Sequence, residues 1–493
     1  MMNLYDVIYT NKFDVKYNGL HDLKTINISS VETDNRSCKD GALFVCIEGY
    51  VTDGHKYAQK AVEAGAVAVL AKSPESLAKY GFEADVPVLY AQDTRYALAA
   101  VSASLYGNPS HAMSLVGITG TKGKTTTSYM IRAIYKAAGL DTGLIGTICN
   151  KIGEEEIPTQ RTTPEANVLQ SLLNKMIERK ISTCIMEVSS QGLNLDRIGF
   201  CKFSTAIFTN LSKDHIGENE HANMEEYAQA KAKLFTMCNN ALINVDNAYS
   251  PLMLESAKKS EAKIYTFGID NECDFKAINI EKNHNGVEYD VVYKSEKYHI
   301  KVPVPGKFSV YNSLSAFACA YLEGVAPKYA LEALEDVFIP GKAEKVPTGK
   351  DFSVLIDYAH NPDSFENILT TVNEYAKRSV FLFGCGGDRN RPRALMGETA
   401  GKFADFTIIT SDNPRSEDPE SIVRDIEKGI IPTGADYICI VDRREAIEYA
   451  LKNAQPGDVI ILAGKGHEVE QIFADRTIHF DEREIVREIL KGM

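Results

Sequence analysis

The stretch SLVGITGTKGKTTT, residues 114–127, decides how this chain folds. It opens with an apolar run that predicts a buried strand and continues through a turn rich in glycine. A helical pattern follows, which we expect to run from about Thr125 to Ala138 and to end at Gly139. In such a unit the N–H groups of the turn and the positive end of the helix dipole can cradle phosphate oxygens. The stretch therefore predicts an α/β domain with a phosphate site at this turn.

Two side chains of the turn suit a nucleotide. Lys124 can neutralise the β- and γ-phosphates, and Thr125 can place its hydroxyl on Mg²⁺. The spacing departs by one position from the general phosphate-loop pattern, whose first glycine would fall on Ile118, whereas the chain has Gly117. The alternative is a tight turn with a surface lysine. The strand–turn–helix context and the GKTT run disfavour it.

Strand and helix patterns alternate on both sides of this stretch. Short apolar runs at 41–49 and 66–71 flank a helical pattern, and further runs follow at 181–188, 204–210 and 240–245. A length of 493 residues suggests about three domains. Strands separated by helices predict doubly wound α/β units. We expect a small amino-terminal α/β domain over 1–107, a central domain with a phosphate-loop doubly wound sheet over 108–338, and a Rossmann-like carboxyl-terminal domain over 339–493.

The last of these units carries polar residues after each of its strands. SVLIDYA, SVFLFG, FTIIT and DVIILAG all run into loops rich in Gly, Asp, Asn or His. In open parallel sheets ligands gather at the carboxyl ends of the strands. Before this unit, residues 263–305 alternate with period two, which predicts antiparallel strands added to the central sheet.

Composition narrows the class of protein. A formal charge of −13 argues against a nucleic-acid or anionic-membrane partner. The first twenty residues lack a secretory signal, and no apolar run approaches the roughly 18 residues of a membrane helix. The ten cysteines form no CxxC pair, so we expect reduced core residues, such as Cys184 and Cys385, and a cytoplasmic protein without membrane insertion.

Three further segments place candidate residues near strand ends. MEVSS (186–190) puts Glu187 at the mouth of a strand, where it could hold Mg²⁺ or simply cap the strand. FTNLSKDH (208–215) offers Asp214 and His215, although a lone histidine is more often structural. On the helix that begins at Tyr227, composition alone indicates that Lys231 is a solvated surface lysine.

A series of motifs makes a resemblance specific. Together and in order they resemble the Mur ligases over about residues 33 to 471, and they match best the members that extend the UDP-linked dipeptide. The motifs are GITGTKGKTTT, MEVSS, FTNLSKDH, YAQAKAKLF, PGKFSVYN, DYAHNPDS, FGCGGDR, SDNPRSEDP and AGKGHE.

The resemblance implies an ADP-forming ligation. ATP would phosphorylate the D-glutamyl γ-carboxylate of UDP-MurNAc-L-Ala-D-Glu, and the amine of a diamino acid would attack the acyl phosphate. A tetrahedral intermediate would then expel phosphate, which is a good leaving group, whereas a carboxylate is a poor electrophile. Metal ions would neutralise the oxygens around the transferred phosphoryl group.

The resemblance also implies roles for individual residues. Catalysis would rest on Lys124, Lys231, Glu187 and His215, with Thr125, Glu187, His215 and a carbamate on Lys231 at the Mg²⁺. ATP would contact Gly120, Thr121, Lys122, Gly123, Lys124, Thr125, Thr126, Asn312, Asp357 and His360. The UDP substrate would contact Asn35, Tyr50, Val51, Thr52, Thr162, Thr163, Ser189 and Arg197.

The added amino acid would meet the loop Asp412-Asn413-Pro414-Arg415. In the family this sequence accompanies meso-diaminopimelate, whose second carboxylate suits a planar guanidinium. Further contacts would come from Arg393, Gly464 and Glu468, with Glu468 receiving the distal ammonium. Two alternatives remain: Arg415 pairs only with Glu417 or Asp418, or the same ligation uses L-lysine.

Several positions depart from the family pattern, and two rival functions follow from weaker likenesses. The departures are Asn35, Lys122, Gln191, Ser309 and Lys342, together with a loop after Asp214 that is two residues longer than usual. A folylpolyglutamate synthetase would share the phosphate loop, but DGH (53–55), DNPRSEDP and GKGHE speak against it. A non-catalytic ATP switch would not need Glu187, His215, Lys231 and Arg415 together. We expect a monomer.

Overall fold

The computed structural model describes residues 2–17, 19–50, 52–214, 216–217, 220–283, 286–389 and 391–493. Two compact units result. The first runs to Lys276 and adds Val292–Glu296 and Leu314–Ala330. The second comprises Ala277–Val291, Lys297–Ser313 and Leu331–Met493. The domain boundaries expected from the sequence, after 107 and after 338, stay predictions.

The beginning of the first unit is a small α/β layer. Strands β3 to β6 form a parallel sheet in the order β3-β4-β5-β6, and Leu43 and Leu70 pack on the same side as Leu98 of α4. The elements are β1 (Met2–Asn3), α1 (Leu4–Tyr9), β2 (Asn27–Ile28), β3 (Ser30–Glu32), β4 (Ala42–Val45), α2 (Ala58–Glu63), β5 (Ala66–Ala71), α3 (Pro74–Ala78), β6 (Val88–Tyr90) and α4 (Thr94–Leu105). The strands predicted at 41–49 and 66–71 are confirmed.

The remainder of the first unit is built on a larger sheet. Its strands lie in the order β10-β9-β8-β11-β7-β12-β13-β14. In this order, neighbouring strands from β8 through β14 pair in parallel. The pairs β8–β9 and β9–β10 are antiparallel. The elements are β7 (Ser114–Thr119), α5 (Lys124–Ala137), β8 (Gly143–Ile145), β9 (Asn150–Ile152), β10 (Glu155–Ile157), α6 (Ala166–Glu178), β11 (Thr183–Glu187), α7 (Ser190–Asn194), β12 (Phe203–Phe208), α8 (Met224–Ala232), β13 (Cys238–Asn244), α9 (Ser250–Lys259) and β14 (Lys263–Gly268).

The position of β7 decides where the site lies. This buried strand pairs with β11 on one side and β12 on the other, and all three run in the same direction. Their carboxyl ends, at Thr119, Glu187 and Phe208, therefore meet at one edge of the sheet. The phosphate loop, MEVSS and FTNLSKDH leave from this edge, as the sequence predicted.

The chain then passes from the first unit into the second through a series of strands and helices. The period-two region forms β15 (Phe275–Asn283), β16 (Gly286–Tyr293) and β17 (Glu296–Val302), in that order. Helices α10 (Lys307–Leu322) and α11 (Pro327–Glu335) follow. The first residues of β15 pair in parallel with β14, so the expectation of purely antiparallel added strands is wrong at this junction.

The rest of the second unit is a doubly wound sheet in the order β18-β19-β23-β20-β21-β22. Alternate residues face opposite layers: Leu355 and Ile461 belong to one core, Ile356 and Ile460 to the other. The elements are β18 (Glu344–Val346), β19 (Ser353–Asp357), α12 (Pro362–Asn373), β20 (Arg378–Phe383), α13 (Arg393–Phe403), β21 (Phe406–Ile409), α14 (Pro419–Ile430), β22 (Tyr437–Cys439), α15 (Arg443–Lys452), β23 (Asp458–Ala463), β24 (Glu470–Ile472), β25 (Thr477–His479) and α16 (Glu482–Lys491).

Two expectations from composition can be compared with this fold. All ten cysteines are free thiols, and Cys184 and Cys385 are buried as expected. Within the described ranges, every helix is too short or too polar to cross a bilayer.

Candidate active site

The turn after β7 has a backbone that only glycine permits at one point. Gly120 has φ +153°, and a Cβ placed there would lie 2.0 Å from Oγ1 of Thr209. Gly123 adopts φ +87° immediately before α5 and directs the chain into the helix. Thr126 lies in the first helical turn and is partly exposed. The turn therefore presents its N–H groups and a helix amino terminus in one place.

The loop after β12 holds this turn in shape. Oγ1 of Thr209 and Nδ2 of Asn210 donate to the carbonyl of Lys122, at 2.7 and 3.0 Å. The backbone N–H of Lys122 donates to Oδ1 of Asn210 at 3.0 Å. Thr121 lies 3.2 Å from the hydroxyl of Tyr227, oxygen to oxygen. The FTNLS segment therefore contributes the scaffold of the turn, a role that the sequence analysis did not foresee.

Two lysines converge on the turn. Nζ of Lys124 donates to the carbonyls of Gly120 and Thr121, at 2.8 and 3.0 Å. Nζ of Lys231, from α8, donates to the same Gly120 carbonyl at 3.0 Å and lies 4.6 Å from the ring centroid of Tyr227. Lys231 is only 1% exposed, so the composition-based expectation of a surface lysine is wrong. Burial, with Lys124 nearby, lowers the pKa of Lys231 well below its usual value.

Glu187 ends β11 as a buried carboxylate, 1% exposed. It accepts hydrogen bonds from Oγ1 of Thr125 at 2.9 Å, Oγ1 of Thr147 at 2.9 Å and the N–H of Thr147 at 3.1 Å. A Cβ on Gly146 would lie 2.4 Å from Oε1, so glycine makes room for the carboxylate. In the described ranges Glu187 forms no ion pair with a lysine or arginine. A buried anion surrounded by hydroxyls is a suitable oxygen ligand for Mg²⁺.

The neighbouring segment joins three residues assigned to the UDP substrate. Oγ1 of Thr163 donates to the carbonyl of Glu187 at 3.0 Å and accepts from the N–H of Ser189 at 2.9 Å. Nη1 of Arg197 donates to the carbonyl of Thr163 at 3.2 Å. Arg197 also pairs with Glu165 at 3.0 Å, and burial lowers the pKa of its guanidinium. Thr162 reaches the same group through Oγ1 of Thr147, at 3.0 Å.

The other residues assigned to the UDP substrate lie in the amino-terminal layer. Asn35 begins a short 3-10 turn capped by Asp34. Tyr50 is 64% exposed, and the turn around it closes through a hydrogen bond from the N–H of Gly49 to the carbonyl of Thr52, at 2.9 Å. Two predicted site residues, Val51 and His215, lie outside the described residues.

The second unit holds the remaining candidates for nucleotide contact. Asp357 ends β19, and its two carboxylate oxygens accept from the N–H groups of Ala343 and Ala359, both at 2.7 Å. Nδ1 of His360 lies 2.8 Å from the carbonyl of Tyr358. Asn312 is buried in α10. Each carboxylate oxygen of Asp357 keeps a lone pair, so hydroxyl groups could still donate to it.

The predicted amino-acid loop is fixed by side chains from the segment after β23. Asn413 donates through Nδ2 to Oε2 of Glu468 at 2.9 Å, and Nζ of Lys465 donates to Oδ1 of Asn413 at 3.0 Å. Gly464 has φ +111°, and a Cβ on it would lie 2.6 Å from Oδ2 of Asp412. The structure therefore brings together four predicted contacts: Asp412, Asn413, Gly464 and Glu468.

Arg415 occupies the tip of this loop at φ +51°. Nη1 donates to the carbonyl of Gly387 at 3.0 Å, and the backbone N–H donates to Ile472. Among the described residues Arg415 forms no ion pair. Glu417 pairs instead with Arg393, and Asp418 pairs with Arg424. The alternative in which Arg415 serves only to pair with Glu417 or Asp418 is wrong.

Arg393 is held by carboxylates rather than left open. It donates to Glu417 at 2.8 Å and to Asp425 at 3.2 Å, and these hydrogen bonds raise its pKa. Beside it lies a cavity of about 420 Å³, lined also by Arg389 and Arg391. A Cβ on Gly386 would lie 3.1 Å from Nη1 of Arg415 and 3.8 Å from Cγ of Arg389, so these two arginines are neighbours. Arg389 stands in FGCGGDR but was not among the predicted site residues.

A buried ion pair lies behind the two loops. Arg443 and Glu482 are fully buried and 2.8 Å apart. The same guanidinium donates to the carbonyl of Ser411 at 3.3 Å and to that of Ala463 at 2.8 Å. These carbonyls directly precede Asp412 and Gly464, so one cation supports both loops.

Comparisons with known proteins agree with this arrangement. Three family models match in chain order: the Mur ligase family catalytic domain over 27–106, the Mur ligase middle domain over 118–320, and the Mur ligase glutamate ligase domain over 342–466. The chain is 46% identical to a UDP-N-acetylmuramoyl-L-alanyl-D-glutamate–2,6-diaminopimelate ligase of Clostridium botulinum, covering 94% of this chain and 95% of the relative. A ligase of the same name from Caldanaerobacter subterraneus is 47% identical with the same coverage.

A solved structure of a ligase with that name is similar throughout. It shares 29% identity and a TM-score of 0.72, covering 100% of this chain and 99% of the other. The three-domain α/β architecture expected from the sequence is confirmed by these likenesses. The ordered family models and two relatives above 45% identity over nearly the whole length lead to one conclusion: the chain belongs to the Mur ligase family.

Proposed function

We propose that this protein is an ADP-forming ligase that joins meso-diaminopimelate to the D-glutamyl γ-carboxylate of UDP-MurNAc-L-Ala-D-Glu, in peptidoglycan precursor synthesis. ATP phosphorylates the γ-carboxylate, the amine attacks the acyl phosphate, and the tetrahedral intermediate expels phosphate. The observation that carries the proposal is the convergence of Lys124, Lys231, Thr125 and Glu187 on one glycine-rich turn. The near full-length identity to relatives of that name supports the choice of substrates.

In this proposal the turn from Gly120 to Thr126 receives the phosphates of ATP. Thr125 and Glu187 hold Mg²⁺ with His215, because Glu187 is a buried carboxylate without a cationic side-chain partner in the described ranges. When bound, the metal withdraws electron density from the phosphoryl oxygens. Lys124 supplies a fixed positive charge to the phosphoryl group in transit. Asn312, Asp357 and His360 contact the rest of the nucleotide.

Lys231 is proposed to carry a carbamate. A neutral amine is the form that adds to CO₂, giving a carbamate and releasing a proton, and burial favours this form because it lowers the pKa of Lys231. The product is an anion, which would suit a metal site better than a second ammonium beside Lys124. The shared Gly120 carbonyl supports this, because it places Nζ of Lys231 beside the charge of Lys124, which further disfavours a protonated Lys231.

For the amino acid we propose that Arg415 binds the distal carboxylate and Glu468 the distal ammonium. Support comes from the guanidinium of Arg415, which lies beside a cationic cavity and forms no ion pair in the described ranges. Arg389, exposed in the same cavity, is proposed as a further carboxylate contact in place of Arg393, which two carboxylates already hold. L-Lysine lacks the distal carboxylate and would leave Arg415 and Arg389 without an anionic partner.

The remaining proposals concern the setting of the reaction. Asn35, Tyr50, Val51, Thr52, Thr162, Thr163, Ser189 and Arg197 are proposed to bind the UDP substrate. We propose domain boundaries after 107 and after 338, a monomer, and a cytoplasmic location, where ATP is available. The extents of the three family models support the boundaries.

One experiment tests the function directly. Purified protein is incubated with ATP, MgCl₂, UDP-MurNAc-L-Ala-D-Glu and each member of an amino-acid panel, and products are identified by mass. We expect the tripeptide product with meso-diaminopimelate, and phosphate release that requires both the UDP-dipeptide and the amine. Phosphate release without either co-substrate, and no product, would instead favour a nucleotide switch.

A further inference from the structure

Lys465 is a fully buried lysine that lies beneath the proposed amino-acid site. It is the second residue after β23, and its side chain is 0% exposed. Nζ donates to Oδ1 of Asn413 at 3.0 Å and to Oε2 of Glu468 at 3.3 Å. Asn413 donates in turn to the same Oε2 at 2.9 Å. Lysine, asparagine and glutamate therefore form a closed triangle of hydrogen bonds.

The triangle determines the orientation of two polar groups. Oδ1 of Asn413 accepts from Lys465 and from the N–H of Ile472, at 3.0 Å each, so its Nδ2 must point to Glu468. Oε2 of Glu468 receives both donors, whereas Oε1 has no hydrogen-bond partner among the described residues. A carboxylate held at one oxygen and open at the other presents a single acceptor in a fixed direction.

We propose that Lys465 is a positioning residue that prepares this open oxygen of Glu468 for the distal ammonium of the amino-acid substrate. The inference rests on the proposed function, in which Glu468 receives that ammonium. Burial of a lysine is costly unless its charge is paired and hydrogen-bonded. Here the charge is used to hold the receptor rather than to touch the substrate.

Loss of Lys465 has a specific consequence. Without the ammonium, the amide of Asn413 can turn over and the carboxylate of Glu468 can leave its position. Binding of the amino acid then weakens, because the receptor is no longer preorganised. ATP and the UDP-dipeptide do not contact this triangle in the proposed function, so their KM values stay the same.

The test compares KM for all three substrates in Lys465→Met and Lys465→Arg. We expect Lys465→Met to raise KM for meso-diaminopimelate by about tenfold or more, as loss of a charge-assisted hydrogen bond predicts, with less than about twofold change for the others. Lys465→Arg, which keeps a charged donor, should recover part of this loss. If Lys465→Met does not fold, Lys465→Gln decides the matter, with an expected effect in the same direction.

A matched control is Arg378→Met. Arg378 and Asp458 form an ion pair at the opposite end of β20 and β23, with N···O distances of 2.5 and 3.0 Å. This variant should lower Tm without a selective change in the KM for the amino acid. Equal changes in all three KM values for Lys465→Met, or no recovery in Lys465→Arg, would overturn the proposal. A wild-type protein that forms no tripeptide would overturn the proposed function itself, a separate outcome.

Discussion

Lys124 and Lys231 share one acceptor: the Nζ atoms of both side chains donate to the carbonyl oxygen of Gly120, at 2.8 and 3.0 Å. Lys124 belongs to the turn, whereas Lys231 reaches it from α8, more than a hundred positions later. The two differ in solvent access, because Lys124 is partly exposed and Lys231 is buried. Burial lowers the pKa of Lys231, so the two lysines should respond differently to substitution.

Lys124→Ala should reduce phosphate release by roughly 10²-fold or more, because it removes a fixed charge from the phosphoryl site. The fold should persist, since the described hydrogen bonds of the side chain go to carbonyls of its own turn. Coupled phosphate detection and circular dichroism provide the measurements. Lys136→Ala, on the exposed end of the same helix, is the matched control. Near wild-type turnover in a folded Lys124→Ala protein would contradict the phosphate-loop assignment.

Lys231→Ala should be nearly inactive and should regain part of its activity with a short-chain carboxylic acid. The added acid would fit the space vacated by the side chain and restore the anion. Activity is measured with and without the acid, against Lys233→Ala, a neighbour that donates to Asn194 at 3.1 Å. Full activity without rescue would argue against a carbamate, as would a well-resolved structure from bicarbonate-rich conditions that shows an unmodified lysine.

Arg415→Ala should lose most activity with meso-diaminopimelate while its weak use of L-lysine changes little. The two amino acids differ by one distal carboxylate, and a charge-assisted contact to it is worth roughly 1.5–3 kcal/mol. A partly buried arginine left without an anionic partner adds to the discrimination, so wild-type kcat/KM should favour meso-diaminopimelate on the order of 10²-fold or more. Arg424→Ala is the exposed control. Equal use of both amino acids by the wild type would refute the role of Arg415 and leave the ligase assignment intact.

Arg389→Ala and Arg393→Ala should distinguish an arginine that binds the amino acid from one that stabilises the fold. Arg389 is exposed in the cationic cavity, so its loss should raise KM for meso-diaminopimelate by about tenfold with little change in Tm. Arg393 holds Glu417 and Asp425, so its loss should mainly lower Tm. Steady-state kinetics and thermal unfolding of both variants provide the comparison. A raised KM in Arg393→Ala, with a lowered Tm in Arg389→Ala, would instead assign the carboxylate contact to Arg393.

His467 should make the folded state sensitive to acid. Burial, with Lys342 and Arg483 nearby, lowers the pKa of His467 from about 6.5 to about 4. Between these values the unfolded chain binds a proton that the folded protein does not, so stability falls as pH falls from about 6.5 to about 4. In His467→Gln this loss should be absent. As pH falls over that range, the unfolding free energy of the variant should therefore rise relative to that of the wild type.

His479 offers a control of opposite sign. Glu484 raises the pKa of His479, so this group contributes stability at low pH that is lost as pH rises through its folded pKa. Urea unfolding of His467→Gln and His479→Gln at several pH values measures both. Parallel pH dependence in wild type and His467→Gln would show that folding does not lower the pKa of His467.

Much of this fold could be predicted because short apolar runs and glycine turns are local signals. The strand before Gly120 and the helix after it were found within one or two residues, and Glu187 was placed correctly at a strand end. Arg415 was chosen because the resemblance to the Mur ligases implies a role for the DNPR loop. The positions of the strand, the helix and Glu187 depend on neighbours in sequence, so the periodicity of the sequence predicts them.

The contacts that were missed depend on distant parts of the chain. Composition gave no sign that Lys231 would be buried, because its partner is a carbonyl 111 positions earlier. Arg389 and Arg393 look alike in sequence, and only Glu417 and Asp425, from another segment, show which guanidinium is already held. The supporting roles of Thr209 and Asn210 depend likewise on the pairing of β7 with β12.

The buried pair of Arg443 and Glu482 has a consequence for redesign. Its guanidinium holds the two loops through the carbonyls of Ser411 and Ala463, groups that every residue type possesses. These two bonds therefore do not depend on which side chains stand at positions 411 and 463. Variation of Arg415 alone could therefore change the accepted amine while Arg443 still holds the backbones of both loops.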